Sequence, residues 1–230
     1  MQAPLPILVS VSVVIPTLNE AANLPHVFER MPAGIAEVII VDGNSTDDTI
    51  ATARALCPTA IIVEQDGRGK GNALACGFRA ATGDIIVMLD ADGSTDPAEI
   101  PRFIAALQTG ADFAKGTRFV TGGGSADITL FRKMGNRVLS SLVNNMWGVN
   151  YSDLCYGYNA FWARCLHDVA PDCDGFEVET LINIKAARAK LRVMEVPSYE
   201  YHRRHGVSNL NARRDGVRVL RTIIAERIRP

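Results

Sequence analysis

The chain has 230 residues, 47% hydrophobic and 21% charged, with a formal net charge of -1. That length suits one sizeable core and is short for two full domains, and the near-neutral charge excludes bulk electrostatic attraction to nucleic acid. Five cysteines, at 57, 76, 155, 165 and 173, show no CxxC spacing and no histidine cluster beside them, so they read as free thiols of a reducing cytoplasm.

The N-terminal stretch is apolar but lacks a basic n-region and a small-residue cleavage site, so "VSVVIP" (11–16) is read as a first strand, not part of a signal peptide. Its unbroken apolar run is that of a strand buried on both faces. Helical spacing follows over 20–32. "AEVIIVDG" (36–43) is a second strand, and 45–56 a helix with Ser45 or Thr46 as its cap. A third strand (60–65) leads to a glycine-opened helix (69–81), and a fourth (84–90) to a helix ending at Gly110. This alternation predicts an α/β fold with a mostly parallel central sheet flanked by helices on both faces. The second half is less regular. It offers a strand over 111–120, a glycine-rich loop leading into a helix over 122–148, and an aromatic-rich strand pair or turn over 151–163. A helix over 175–191 and a strand over 192–204 follow. No apolar run approaches the roughly 18 residues of a membrane helix.

Four of the strands exit into polar turns: "PTLNE" (16–20), "DGNSTDD" (42–48), "DGRGKG" (66–71) and "DADGS" (90–94). Ligands of open α/β sheets bind at these strand ends, so the four turns are expected to share one crevice. In "LDADG", Asp90 and Asp92 stand two apart on an extended segment and face the same way. They can present oxygens to one hard cation, Mg²⁺ or Mn²⁺. An isolated Asp-x-Asp-Gly is more simply a turn, but a turn alone does not account for the other three. "GRGKG" (67–71) fits neither a Walker loop nor GxGxxG; it is read as a phosphate-facing loop or a plain flexible turn.

These segments carry a resemblance. "VSVVIPTLNEAANL", "VIIVDGNSTDDT", "GKGNALACGFRAATGDIIVMLDADGS" and "AKGTRF" are similar to the family 2 glycosyltransferases, and more narrowly to the catalytic domain of dolichyl- and polyprenyl-phosphate sugar synthases. The likeness continues more loosely through "RKMGNRVLSSLVNN", "SDLCYGYNAFW" and "VPSYEYHRRHGVSNLN". It implies a GT-A fold over 1–230 as a single domain: a nucleotide-sugar half (1–120), an acceptor half (121–210) and a basic C-terminal helix (211–230). It implies inverting transfer from a nucleoside-diphosphate sugar to a lipid phosphate. By the same resemblance, Pro16, Thr17, Asn19 and Glu20 lie against the nucleoside and Asp42 meets the base or ribose. Lys70, Gly71 and Ala91 line the nucleotide pocket, and Asp90 and Asp92 hold the metal. Arg118 and Arg132 face the acceptor phosphate. Arg203 or Arg204, with Ser208, closes over the diphosphate.

The chain departs from the family pattern at three points. Gly43 replaces the second Asp of "VDDGS", Ser94 stands where Gln is frequent, and Tyr158-Asn159 replaces Phe-Arg after Gly157. A same-fold enzyme acting on a soluble hydroxyl is therefore kept as an alternative, as is a non-catalytic nucleotide-sugar-binding module. A phosphate acceptor is largely dianionic at neutral pH and needs no protein base. A hydroxyl acceptor needs one, for which Asp153, Glu177 and Glu179 are candidates, although the two glutamates equally suit a helix start. In the tail, Val217, Leu220, Ile224 and Ile228 fall on one helical face, with Arg214, Arg218, Arg221 and Arg229 largely off it. That stripe is read as docked on its own domain or at a homodimer contact, with peripheral contact to anionic lipid as the alternative.

Overall fold

The computed structural model describes residues 9–207 and 211–229. The apolar runs of the first half form the strands expected of them: β1 (Val11–Thr17), β2 (Glu37–Asp42), β3 (Ile61–Glu64) and β4 (Ile85–Met88), with β5 at Phe113–Thr117. A two-residue strand, β6 (Gly124–Ser125), is followed by β7 (Asn159–Trp162), β8 (Val193–Pro197) and β9 (Tyr199–Glu200). Seven of them make one sheet in the order β3-β2-β1-β4-β7-β5-β8, and β6 pairs with β9 in a small separate ribbon. Successive residues of each central strand bury on opposite faces. Val13, Ile15 and Ile40 enter one core cluster with Phe103, and Val14, Ile39 and Val41 enter another with Phe78 and Phe161.

The helices cover both faces: α1 (Leu24–Glu29), α2 (Thr49–Leu56), α3 (Gly69–Ala80), α4 (Ile100–Gln108), α5 (Leu130–Trp147), α6 (Leu166–Val169), α7 (Val178–Arg188) and α8 (Ala212–Ile228). Where α5, α7 and α8 meet, Val143, Leu154, Ile184, Val219 and Ile223 form a third core cluster. Among the described residues no helix is long and apolar enough to cross a membrane.

β7 is antiparallel to both neighbours, with Met88 opposite Asn159 and Ala114 opposite Ala160. The aromatic-rich segment is therefore one strand threaded into the main sheet. The reversal matters for position. An antiparallel strand brings its start to the edge where its parallel neighbours end, so residues 153–158 arrive beside the turn after β4.

Two local expectations are corrected. Helix α2 starts at Thr49, after Asp48, and has no side-chain cap. Ser45 and Thr46 instead tie the first two strand-end turns together: Ser45 Oγ accepts from the Asn19 N–H at 2.9 Å, and Thr46 N–H donates to Asn19 Oδ1 at 2.7 Å. The second correction concerns α8. It docks through Asp215, Val219, Ile223 and Glu226, while Val217, Leu220, Ile224 and Ile228 are exposed. The polar inward positions are satisfied. Asp215 accepts from the Asn211 N–H at 2.7 Å, and Glu226 pairs with Arg188 at 2.9 Å and Arg229 at 2.7 Å.

Candidate active site

The turns after β1, β2 and β4 converge on one edge of the sheet. Asn19 (φ 58°) and Asn44 (φ 64°) take the left-handed conformation there, which Asn tolerates because its short amide bonds locally. Two clefts meet at this edge. A strand-end cleft of about 590 Å³ is lined by Pro16, Thr17, Glu20 and Ala91 among others. A larger cleft of about 830 Å³ runs between α5 and α8 and is lined by Arg118, Arg132, Asn136 and Tyr156, with an apolar outer wall. Lys70, Asp90, Asp92, Phe176 and Arg203 line both clefts.

Charge is concentrated at the junction. Lys70 Nζ lies 2.5 Å from Asp90 and 2.7 Å from Glu179. Burial alone would lower the lysine's pKa, but these two carboxylates hold it well above its ordinary value. Burial, with Asp90 adding to it, pushes Glu179 above the usual carboxylate range despite the lysine. Arg203 reaches Glu20 at 2.5 Å and Asp92 at 3.4 Å. Arg204 contributes a backbone N–H to the Asp92 carbonyl at 3.2 Å and lines neither cleft. Of the two arginines, then, Arg203 faces the acidic pair. Ser208 lies outside the described residues.

Several expected residues sit behind the clefts. Asn19 orders the first turn through Ser45 and Thr46. Asp42 is buried; its Oδ2 accepts from Ser45 N–H at 2.9 Å, and its Oδ1 has no hydrogen-bond partner. Gly71 lines neither cleft. Its N–H donates to the Asp174 carbonyl at 3.0 Å, and a Cβ there would stand 2.2 Å from the Cys173 carbonyl oxygen. Gly69, at φ 82°, meets Asp174 equally closely. Gly69 and Gly71 thus admit the 173–175 backbone, which sets Phe176 between the clefts.

Arg118 lines the α5–α8 cleft, and Asp153 lies behind it and lines neither cleft. Asp153 is fully buried. Its carboxylate takes the Arg118 guanidinium in a fork, at 2.7 Å from Nε and 2.9 Å from Nη2. Burial would raise the carboxyl's pKa; the arginine more than reverses this and holds it below the usual range. An oxygen so engaged and so enclosed cannot take a proton from a substrate hydroxyl, so Asp153 positions Arg118 rather than acting as a base. The remaining Arg118 nitrogen meets Glu200 at 3.0 Å, and Tyr156 stacks 4.8 Å from the guanidinium carbon. Arg132 pairs with Asp127 at 2.7 Å at the mouth of the α5–α8 cleft.

Sequence reasoning named Glu179 only as a candidate base beside a helix start, and it passed over Phe176 and Glu200. Glu179 sits in the first turn of α7, where its carboxylate suits the helix dipole, so its pattern carried no separate signal. Glu200 ends the two-residue β9 and Phe176 lies in the turn before α7, segments too short to carry a periodic pattern. Of the departures, Tyr158 and Asn159 are core residues: Tyr158 stacks on Phe103 at 4.4 Å and Asn159 begins β7. A Cβ at Gly43 would stand 3.4 Å from Gln65 Oε1, and Gln65 lines the strand-end cleft.

Residues 12–170 match the family model described as glycosyl transferase family 2. The chain is 31% identical over 217 residues to a dolichol-phosphate mannosyltransferase of Pyrococcus furiosus, across 88% of this chain and 60% of that protein's length. It is 32% identical over 210 residues to an undecaprenyl-phosphate mannosyltransferase of Micrococcus luteus, across 86% of each. A crystal structure of glucosyl-3-phosphoglycerate synthase from Mycobacterium tuberculosis, in complex with Mn²⁺, UDP and glucosyl-3-phosphoglycerate, matches with a TM-score of 0.76. That match has 25% identity and covers 96% of this chain and 81% of that one.

Proposed function

The chain belongs to glycosyl transferase family 2, and from that premise we propose that it moves a hexose, with inversion, from a nucleoside-diphosphate sugar onto a polyprenyl phosphate. It is a glycosyltransferase with the GT-A fold, as its family and its structural neighbour attest. The reading takes the described residues as one catalytic unit, with the strand-end cleft for the donor and the α5–α8 cleft for the acceptor.

One observation carries the lipid acceptor. The outer wall of the α5–α8 cleft is built from Phe131 and Val138 of α5 and Val217 and Leu220 of α8, and all four are exposed to solvent. Leu130, Met134, Ile224 and Ile228 extend this apolar face along the same two helices. Soluble proteins rarely expose contiguous apolar surface of this kind without an occupant, and a polyprenyl chain or the membrane holding it fits. The arginines beside the α8 stripe favour contact with an anionic bilayer.

The donor side suits a divalent cation. Asp90 and Asp92 offer hard oxygens, and neither is enclosed. At the junction four carboxylates (Glu20, Asp90, Asp92, Glu179) face two cations (Lys70, Arg203), which formally leaves two negative charges. Asp90 and Asp92 would hold Mg²⁺ or Mn²⁺, cations that take oxygen ligands. The ion supplies neutralisation of the charge that develops on the departing diphosphate. Arg203 adds a guanidinium on the same side, and Lys70 holds Asp90 and Glu179 in place between the clefts. Gln65 offers the base an amide donor and acceptor where the second Asp of the family pattern is replaced by Gly43.

Purified protein with Mn²⁺, either UDP-glucose or GDP-mannose, and a short-chain polyprenyl phosphate is expected to yield a lipid-phosphate sugar detectable by mass spectrometry. Transfer to 3-phosphoglycerate with none to the polyprenyl phosphate would replace this reading with the soluble-acceptor one.

A further inference from the structure

A third cleft, of about 760 Å³, opens on the other side of α5, between that helix and residues 118–123. It is lined by three cationic side chains, Arg118, Lys133 and Arg137, and by no carboxylate. Arg118 is committed to Asp153 and Glu200. Lys133 and Arg137 are not. Neither pairs with a carboxylate among the described residues, and the Lys133 ammonium rests 5.7 Å from the face of Phe119. The other arginines of this molecule that line a cleft beside α5, Arg118, Arg132 and Arg203, each hold an acidic partner.

Below these two cations lies Ser140. Residues 133, 137, 140 and 144 follow the spacing of one helical face, and Ser140 and Asn144 line the same cleft. Ser140 is 4% exposed, and its Oγ has no hydrogen-bond partner. A serine within a helix that is kept from solvent can return its hydroxyl to a carbonyl of the preceding turn; this one does not. A buried unpaired hydroxyl below two unpaired cations is what an anion with several acceptor oxygens would satisfy.

We propose that this cleft is a second, non-catalytic site that binds a phosphate group through Lys133 and Arg137, with Ser140 donating a hydrogen bond from the floor. The site does not depend on the acceptor assigned above. The phosphate has two sources, a soluble phosphorylated metabolite or an anionic lipid headgroup. The exposed apolar residues Met134 and Val138 lie on the same helix, so a headgroup would arrive where α5 meets a bilayer.

The test uses the whole chain in EDTA without nucleotide. Inorganic phosphate and glycerol 3-phosphate are titrated calorimetrically in one arm. In the other, cosedimentation is measured with phosphatidylcholine vesicles with and without phosphatidic acid. Three variants are compared with the wild type: Lys133→Ala/Arg137→Ala, Ser140→Val and, as a control for the acceptor cleft, Arg132→Ala. Saturable binding is expected to fall about tenfold or more in the double variant, as charge-assisted hydrogen bonds are lost. It should fall several-fold in Ser140→Val, which leaves charge unchanged. In a separate titration without EDTA, binding of UDP with Mn²⁺ should be unaltered in both. Binding of the soluble phosphates that follows these variants identifies a metabolite site. Binding confined to phosphatidic acid vesicles that follows them identifies a headgroup site. No binding in either arm overturns the proposal. So does binding sensitive only to Arg132→Ala, or binding lost in the double variant but indifferent to Ser140→Val, since the last is a solvated basic face and not a site.

Discussion

Asp92 and Asp153 both carry the sequence signature of functional aspartates near strand ends, and their surroundings separate them. Asp92 opens to both clefts, with Arg203 3.4 Å away and the Ser94 N–H bonded to its Oδ1 at 3.0 Å. Asp92→Asn keeps an oxygen for that N–H but removes the charge. Transfer is expected to fall by at least ~10²-fold, the scale of losing one electrostatic contact to a transition state. The unfolding free energy should stay within about 1 kcal/mol, as for surface changes generally. A variant with full activity, or one that unfolds far below wild type, would return "LDADG" to a turn. Asp153 is predicted to behave the opposite way. Asp153→Asn breaks a buried pair and should cost about 3–5 kcal/mol, toward the lower end because Glu200 still faces Arg118. Its folded pKa lies below the unfolded value of 3.8. The wild-type advantage is therefore complete above that value and is lost as pH falls through the folded one. Urea unfolding of both proteins at several pH values should show the gap closing only below about pH 4. A gap that is absent at pH 7 would mean that Arg118 does not need its partner. The Asp-x-Asp spacing was legible because two residues on an extended segment share a side. The choice between Arg203 and Arg204 was not, since adjacent residues in a loop carry no periodic cue.

Helix α8 shows the same division at the level of an element. Its length and amphipathic period were readable, and its orientation was not. Two faces compete: Val217, Leu220, Ile224 and Ile228 form the more apolar stripe, while Asp215, Val219, Ile223 and Glu226 form the one that packs. Periodicity ranks faces by apolarity and does not see that Asn211, Arg188 and Arg229 satisfy the acidic members of the second. Neighbouring isoleucines thus face different solvents. Ile223 lies in the cluster with Val143 and Ile184, so Ile223→Ala should destabilise by about 2–5 kcal/mol. Ile224→Ser should change stability by about 0.5 kcal/mol or less and weaken binding to anionic vesicles. Thermal melts and vesicle cosedimentation read the two effects separately. Equal destabilisation by both changes would refute the assigned orientation. Vesicle binding indifferent to Ile224→Ser would refute the bilayer contact.

Across the whole molecule, the first four strands were legible because each is a compact apolar run closed by a polar turn. β7 was not. Four residues, "NAFW", carry too little pattern to reveal direction, and only the reversed pairing with β4 and β5 brings Tyr156 and Gly157 to the same edge as Asp90. That reversal sets the α5–α8 cleft beside the strand-end cleft, with Lys70, Asp90, Asp92, Phe176 and Arg203 common to both. The arrangement has a stereochemical consequence. On the proposed assignment, the nucleophile comes from the α5–α8 side and the diphosphate leaves on the strand-end side, the arrangement that direct displacement requires. Retention through a covalent intermediate would need a free carboxylate at that carbon. Glu179 is held by Lys70 at 2.7 Å, and Asp153 is enclosed with Arg118. A dianionic phosphate acceptor needs no base from the protein, which agrees with the pairing of Glu179 to Lys70 and of Asp153 and Glu200 to Arg118. The product should therefore carry the anomeric configuration opposite to the donor's, read from the anomeric proton coupling of the product by NMR. A product that keeps the donor's configuration would mean that one of these paired carboxylates leaves its cation during the reaction, and Glu179, the one lining the acceptor cleft, would be the residue to replace first.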